Sequence, residues 1–245
     1  MCVAALAWTA HPRWRLVCIG NRDEFHSRPA AALAPWENGV IAGRDLTGGG
    51  TWLGVHEAGR FTLVTNFRQP EGPQPNRPSR GKLVVDLLEG RTPEHVAAMN
   101  SFNVIHVEGA EAGYLTNVPD VRWVPLMPGI HGLSNGGFHD RWPKTRQLEG
   151  ALAEWLAQDS GDLGQLLDTL RAETPNPALA RPSEGPEPRF APVFIRNPEY
   201  GTRCSTVIAI DREGSGTIIE RSFGADGVKM GQRQVDFRWP SSTQD

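Results

Sequence analysis

The chain has 245 residues, with 25 Lys plus Arg against 28 Asp plus Glu and a formal charge of −3, so it lacks the basic stripe that a nucleic-acid partner requires. That length fits one large domain or two small ones. Three widely spaced cysteines, Cys2, Cys18 and Cys204, form no CxxC pair, which argues against a zinc knuckle or dithiol and suits a reducing compartment.

In chain order, residues 3–8 and 14–20 are short apolar runs on either side of Thr9-Ala10-His11-Pro12. They predict a hairpin whose strands are covered on both faces. The first run has no basic flank and is too short for a signal or membrane segment. Cys2 also lacks the hydrophobic stretch that precedes a lipoprotein cysteine, so the expected location is the cytoplasm. Gly48-Gly49-Gly50 leads into a second hairpin, 51–56 with 60–67. Ser79 is placed to cap a helix carrying Leu83, Val84, Leu87 and Leu88 and closed by Gly90. Thr92-Pro93-Glu94 reads as the start of a short helix through Met99.

Residues 103–107 and 112–117 predict a third hairpin, and 205–211 with 216–222 a fourth. Helices are predicted over 144–158 and 162–172, the first with Leu148, Leu152, Trp155 and Leu156 on its apolar side. The proline-rich segments 69–78 and 174–192 read as irregular surface loops, the second either a lid or a disordered insertion. No repeat or boundary interrupts the chain, so residues 1–245 are expected to form a single domain. Hairpins alternating with helices imply sheets sandwiched between helical layers.

The residue with the most chemistry in it is Cys2. Removal of Met1 alone would give it a free α-amine beside its thiol, and an amine of ordinary pKa about 7.7–8.0 takes a thiol proton near neutrality. The plainer reading is a small apolar residue starting a buried strand. Asn21-Arg22-Asp23-Glu24 follows an apolar strand directly. It is either a capped strand end or a cluster delivered beside the N-terminus, where Asp23 would hold the amine and Arg22 favour the thiolate. Asn66 and Asn117 each end a strand, and serve either as turn residues or as neutral donors to an oxyanion. Arg203 is either a surface charge or an anion clamp. The triple glycine lacks the spacing of a phosphate loop, the seven histidines form no metal motif, and the tryptophans are dispersed, so no cofactor and no metal are expected. His106 and His131 sit in apolar stretches that favour a structural role.

Several short motifs stand in order along the chain. They are Met1-Cys2, Asn21-Arg22-Asp23-Glu24, Gly49-Gly50-Thr51-Trp52-Leu53-Gly54, Thr65-Asn66, Ser79-Arg80-Gly81, Gly132-Leu133-Ser134-Asn135 and Tyr200-Gly201-Thr202-Arg203. Together they resemble the NRDE family, also called the Transport and Golgi organisation protein 2 family. That family in turn resembles cysteine N-terminal-nucleophile hydrolases such as penicillin V acylase and bile salt hydrolase. The resemblance implies an α+β fold, a four-layer αββα sandwich of two antiparallel sheets between helical layers. It implies Cys2 as nucleophile, Asp23 as the anchor of its amine, Asn66 and Asn117 as the oxyanion-side asparagines, and Arg203 as an arginine near the last strand pair. One position departs from the acylases: their arginine three residues before the aspartate is Gly20 here, and Arg22 stands in its neighbourhood.

Two functions follow as expectations. The first is an amidohydrolase or acyl-thioester hydrolase working through Cys2 on a small acyl substrate. The second is a non-catalytic binding or trafficking protein for lipid, acyl-CoA or haem on the same fold, with the proline-rich loops gating a hydrophobic groove. A third reading leaves Cys2 as an inert core residue and the polar tetrapeptide as a fold determinant.

Overall fold

The computed structural model describes residues 2–140, 142–179 and 185–240. The first half of the chain runs β1 (Cys2–Trp8), β2 (Trp14–Phe25), β3 (Ala30–Pro35), β4 (Val40–Asp45), β5 (Leu53–His56), β6 (Arg60–Asn66) and α1 (Arg80–Leu88). It continues with β7 (Phe102–Glu108), β8 (Glu111–Thr116), β9 (Arg122–Pro125), β10 (Gly129–Leu133), α2 (Pro143–Gln158) and α3 (Leu163–Thr169). The strands β11 (Tyr200–Asp211), β12 (Ser215–Phe223) and β13 (Lys229–Arg238) complete it. One antiparallel sheet has the order β10-β1-β2-β11-β12-β13, and the other runs β3 to β9 in sequence order.

Continuous apolarity in β1 and β2 has a simple cause, since successive side chains point to opposite faces and both faces are covered. Ala4, Leu6, Leu16 and Cys18 face the second sheet and meet residues such as Leu53, Phe61 and Leu63. Val3, Ala5, Val17 and Ile19 face outward onto Leu148, Leu152, Trp155 and Leu166 of α2 and α3. Leu83, Val84 and Leu88 of α1 are fully buried over β4, β5 and β6. The layers are therefore helix, sheet, sheet, helix, the expected αββα sandwich. Leu6 and Leu148 are both fully buried, and truncating either to Ala would cost about 2–5 kcal/mol.

The four expected hairpins are all present, but β2 does not stop at Gly20. It runs on through Phe25, so the polar tetrapeptide is strand and not a strand end. The segment 92–99 makes only a 3-10 turn, Val96–Ala98, because His95 takes a left-handed conformation (φ 56) that no α-helix tolerates. The second late helix is shorter than expected, capped at its start by the Asp162 carboxylate, which accepts from Gly164 N–H at 2.8 Å. Segment 69–78 is irregular, as expected, whereas 174–192 contains two 3-10 turns, Pro177–Leu179 and Pro188–Phe190. Residues 180–184, within that expected loop, lie outside the described residues. Among the described residues no helix is long and apolar enough to cross a membrane.

Candidate active site

Three adjacent strands bring Cys2, Arg22 and Cys204 into one row. Cys2 of β1 is directly opposite Arg22 of β2, and Arg22 is directly opposite Cys204 of β11. All three line a cavity of about 620 Å³ between the sheets, together with Asp23, Asn66, Arg80 and Arg203. Burial pushes the Cys2 thiol up from its ordinary value, while the Asp23 backbone N–H and the Arg22 guanidinium pull it back. Arg22 Nη2 lies 3.5 Å from Asp45 Oδ2 and 3.7 Å from Glu24 Oε2, but its buried Nη1 has no hydrogen-bond partner among the described residues. That leaves a cationic donor at the cavity floor beside the sulfur.

The departure at Gly20 has a steric reason. A Cβ there would lie 3.0 Å from the Val3 carbonyl oxygen and 3.1 Å from the Trp52 ring, so no long side chain fits. Trp52 belongs to the Gly-Thr-Trp-Leu-Gly motif, and the tight approach of Gly50 to the Gly81 backbone seats the start of α1 against it. Arg80, the first residue of α1, thereby reaches the same cavity and donates to the Ser101 carbonyl at 3.0 Å.

Asp23 projects toward α2. Thr202, opposite it on β11, donates its hydroxyl to Asp23 Oδ1 at 2.8 Å and accepts from Ile195 N–H at 2.9 Å. Burial pushes the Asp23 carboxyl up, and the Thr202 hydroxyl and the charges of Lys144 and Arg22 oppose that shift. Lys144, in the first turn of α2, is 1% exposed; burial pulls its ammonium down from the ordinary range, and the charges of Asp23 and Cys2 oppose that shift.

The backbone nitrogen of Cys2 is held by Asn135, whose Oδ1 accepts from it at 3.1 Å. The same side chain donates through Nδ2 to the Asn66 carbonyl at 2.7 Å, and Ser134 Oγ donates to the Cys2 carbonyl at 2.8 Å. Gly132-Leu133-Ser134-Asn135 thus clamps the first described residue from both sides. Asn66 is exposed at the end of β6 and lines both this cavity and a neighbouring one of about 960 Å³.

Other expected site residues lie elsewhere or work differently. Asn117 does not reach the cavity. Its Oδ1 accepts from Phe102 N–H at 3.0 Å, and its Nδ2 donates to the carbonyls of Met99 at 3.2 Å and Val96 at 3.4 Å, which ties the turn before β7 to the end of β8. Asn21 points into the helical layer, donating to the Leu170 and Val193 carbonyls, both at 2.9 Å, and accepting from Ser205 at 2.6 Å. Glu24 sits at the cavity rim beside Arg22 and Arg28. Arg203 occupies a β-bulge between Thr202 and Cys204 that turns it to the cavity edge, where it donates to the carbonyls of Phe25 at 2.7 Å and Arg28 at 2.9 Å. Met1 lies outside the described residues. Asn135 and Lys144 carry the geometry that the individual residues did not announce. The tetrapeptide ending in Asn135 was visible as a motif, and a lysine directly after the proline that opens a helix was the available signal for Lys144. Among the described residues no cluster of His, Cys, Asp or Glu could hold a metal ion.

The Caenorhabditis elegans N-acylethanolamine-hydrolyzing acid amidase ortholog superposes with a TM-score of 0.52 at 12% identity, covering 84% of this chain and 92% of that one. That likeness shows the fold, which is of the N-terminal-nucleophile hydrolase kind. The Bos taurus Transport and Golgi organization protein 2 homolog is 34% identical, with 98% of this chain and 100% of the relative covered. The Homo sapiens homolog is 31% identical over 91% of this chain and 93% of its own. With the family's sequence profile matching residues 1–225 as well, the chain belongs to the Transport and Golgi organisation 2 family.

Proposed function

We propose that the protein is a cysteine N-terminal-nucleophile hydrolase acting on an amide or thioester bond, with Cys2 as nucleophile once Met1 is removed. The observation that carries this reading is the clamp on Cys2. Its nitrogen, the atom that would become the α-amine, is held by Asn135 at 3.1 Å, while its thiol shares a cavity with Arg22 and Asp23.

The chemistry runs in two halves. The α-amine takes the thiol proton as Sγ attacks the carbonyl carbon, and the developing oxyanion is stabilised by donors at the cavity mouth, with the Asn66 amide the candidate. The tetrahedral adduct collapses, the ammonium gives its proton to the departing amine or thiol, and an acyl-Cys2 thioester remains. Water, deprotonated by the α-amine, then attacks that thioester, releasing the carboxylic acid and restoring the thiol. Arg22 holds negative charge on sulfur, and Asp23 orients the amine. We place this reaction in the cytoplasm, a reading supported by three buried, unpaired cysteines.

The neighbouring cavity supports a second reading, binding of lipid, acyl-CoA or haem without turnover. Phe25, Met99, Phe190 and Tyr200 offer it apolar walls, and Arg77 and Arg80 stand beside them. A panel of short-chain acyl thioesters and N-acyl amides, offered to the Met1-free chain and to Cys2→Ala, tests the first reading. Turnover by the former alone supports it. A Soret band on adding haem, with no turnover of any panel member, would favour the second.

A further inference from the structure

A buried polar row crosses the second sheet. Thr65, Asn103 and Thr116 stand opposite one another on β6, β7 and β8, and none is more than 1% exposed. Burying such groups is costly unless their hydrogen bonds are met, so their partners show what the row holds. Thr65 Oγ1 donates to the Ser134 carbonyl at 2.5 Å. Asn103 Nδ2 donates to the Gly136 carbonyl at 2.7 Å and to the Ser134 carbonyl at 3.4 Å. Its Oδ1 accepts from the Tyr114 hydroxyl at 2.5 Å. The carbonyl between them, that of Asn135, accepts from the Arg68 N–H, just past β6, at 2.8 Å. Three successive carbonyls after β10 are therefore bound by the second sheet and the exit of β6.

That changes how β10 meets β1. The last pair of their ladder is Ala4 opposite Leu133, and continuing the register would set Cys2 opposite the Asn135 backbone. Instead β10 ends at Leu133, and the Asn135 side chain receives the Cys2 nitrogen. We infer that Asn103 is a positioning residue for the Cys2 reaction: it draws the 134–136 turn onto the second sheet, so that a side-chain amide and not a ladder carbonyl meets that nitrogen. The inference rests on the reading of Cys2 as an N-terminal nucleophile. A nitrogen that must take and return a proton has to be placed beside the sulfur without being locked into a sheet ladder. An asparagine suits the task because its two Nδ2 protons span two carbonyls of one turn. The Tyr114 hydroxyl, donating to Oδ1, fixes which end of that amide faces the turn.

The test uses the full chain with Cys2 as its first residue, obtained by cleaving off a leader fused directly ahead of it. The rate at which Cys2 forms an adduct with an acyl thioester is compared in a double-mutant cycle of Asn103→Leu with Asn135→Ala. Asn103→Leu should slow the adduct by about tenfold alone, and by less than about twofold once Asn135 is already Ala, because it acts through that side chain. Equal slowing in both backgrounds, as a merely structural role would give, would overturn the inference, and so would an unchanged rate in folded Asn103→Leu. If the leucine variant does not fold, Thr65→Val, which keeps the shape and removes a donor to Ser134, goes through the same cycle with the same outcomes. Amide hydrogen exchange read by NMR supplies a measurement without acyl transfer. The Arg68 amide, bonded to Asn135, should exchange at least about fivefold faster in Asn103→Leu, the scale of one lost hydrogen bond, while amides of β2 keep the parent's rates. Unaltered exchange at Arg68 would overturn the inference. Faster exchange there in a chain that never takes an acyl group would uphold the hold of Asn103 on the turn while defeating the hydrolase reading.

Discussion

Asn117 closes β8 of one sheet, and Asn135 follows β10 of the other, each in a short Ser- or Thr-Asn step after an apolar strand. At Asn117 the side chain spends its hydrogen bonds on three backbone groups of one turn, Phe102, Met99 and Val96. At Asn135 they go to the nitrogen of Cys2 and the carbonyl of Asn66, so one amide links the strand that starts at Cys2 to the strand end at the cavity mouth. The same residue type is scaffold in one place and site in the other. What separates them is the destination of the hydrogen bonds, not the local sequence.

The largest effect should come at Cys2, the proposed nucleophile. Cys2→Ala is expected to abolish acyl-adduct formation with a thioester probe while leaving the melting curve near that of the parent, since Ala keeps the buried strand start. Next, Asn135→Ala should slow adduct formation by about 10²-fold, the scale of losing nucleophile placement by an ångström. Asn117→Ala should leave the adduct rate per folded molecule unchanged and instead cost about 1–3 kcal/mol in urea unfolding, because it strands backbone groups around Phe102. Equal kinetic losses in the two asparagine variants would break the comparison.

The scaffold sheet should also show a pH effect of its own. Burial pulls His106 down to about 4, and its Nδ1 lies 2.8 Å from Thr62 Oγ1. The unfolded chain would therefore bind a proton near pH 6.5 that the folded one refuses until about pH 4. Stability contributed by neutral His106 is fully present above about 6.5 and falls as pH drops toward 4, by up to about 3 kcal/mol. Urea midpoints at pH 7 and 4.5 measure that slope, and His106→Gln should flatten this part of it. A slope unchanged by the substitution would show that the proton is taken elsewhere.

The sequence made most of this architecture legible where strands are apolar and turns carry glycine or proline, as in β1 with β2 and β7 with β8. It missed β3, β4, β9, β10 and β13, and the two most exposed of these are strands held mainly by a neighbour. β13, Lys-Met-Gly-Gln-Arg-Gln-Val-Asp-Phe-Arg, is mostly exposed and polar, and exists because β12 offers it a ladder. β9 is an exposed edge for the same reason. In the site, Cys2, Arg22 and Asp23 were readable because one hairpin brings them together within the first 25 residues. Asn135 and Lys144 come from β10 pairing with β1 and from α2 packing on that pair, contacts across more than a hundred residues that no local pattern encodes. For Asn21 the fold-determinant reading was open beside the site reading, and the choice could not be made locally, since its partners at Leu170, Val193 and Ser205 lie far along the chain.

The central claim is that Cys2 becomes the first residue and is acylated there. Intact-mass spectra of the purified chain, before and after exposure to an electrophilic acyl thioester, test it most directly. The account predicts a mass lacking Met1, a single acyl increment that maps to Cys2, and no increment in Cys2→Ala. Met1 retained throughout, or an adduct on Cys18 or Cys204 that persists in Cys2→Ala, would contradict it.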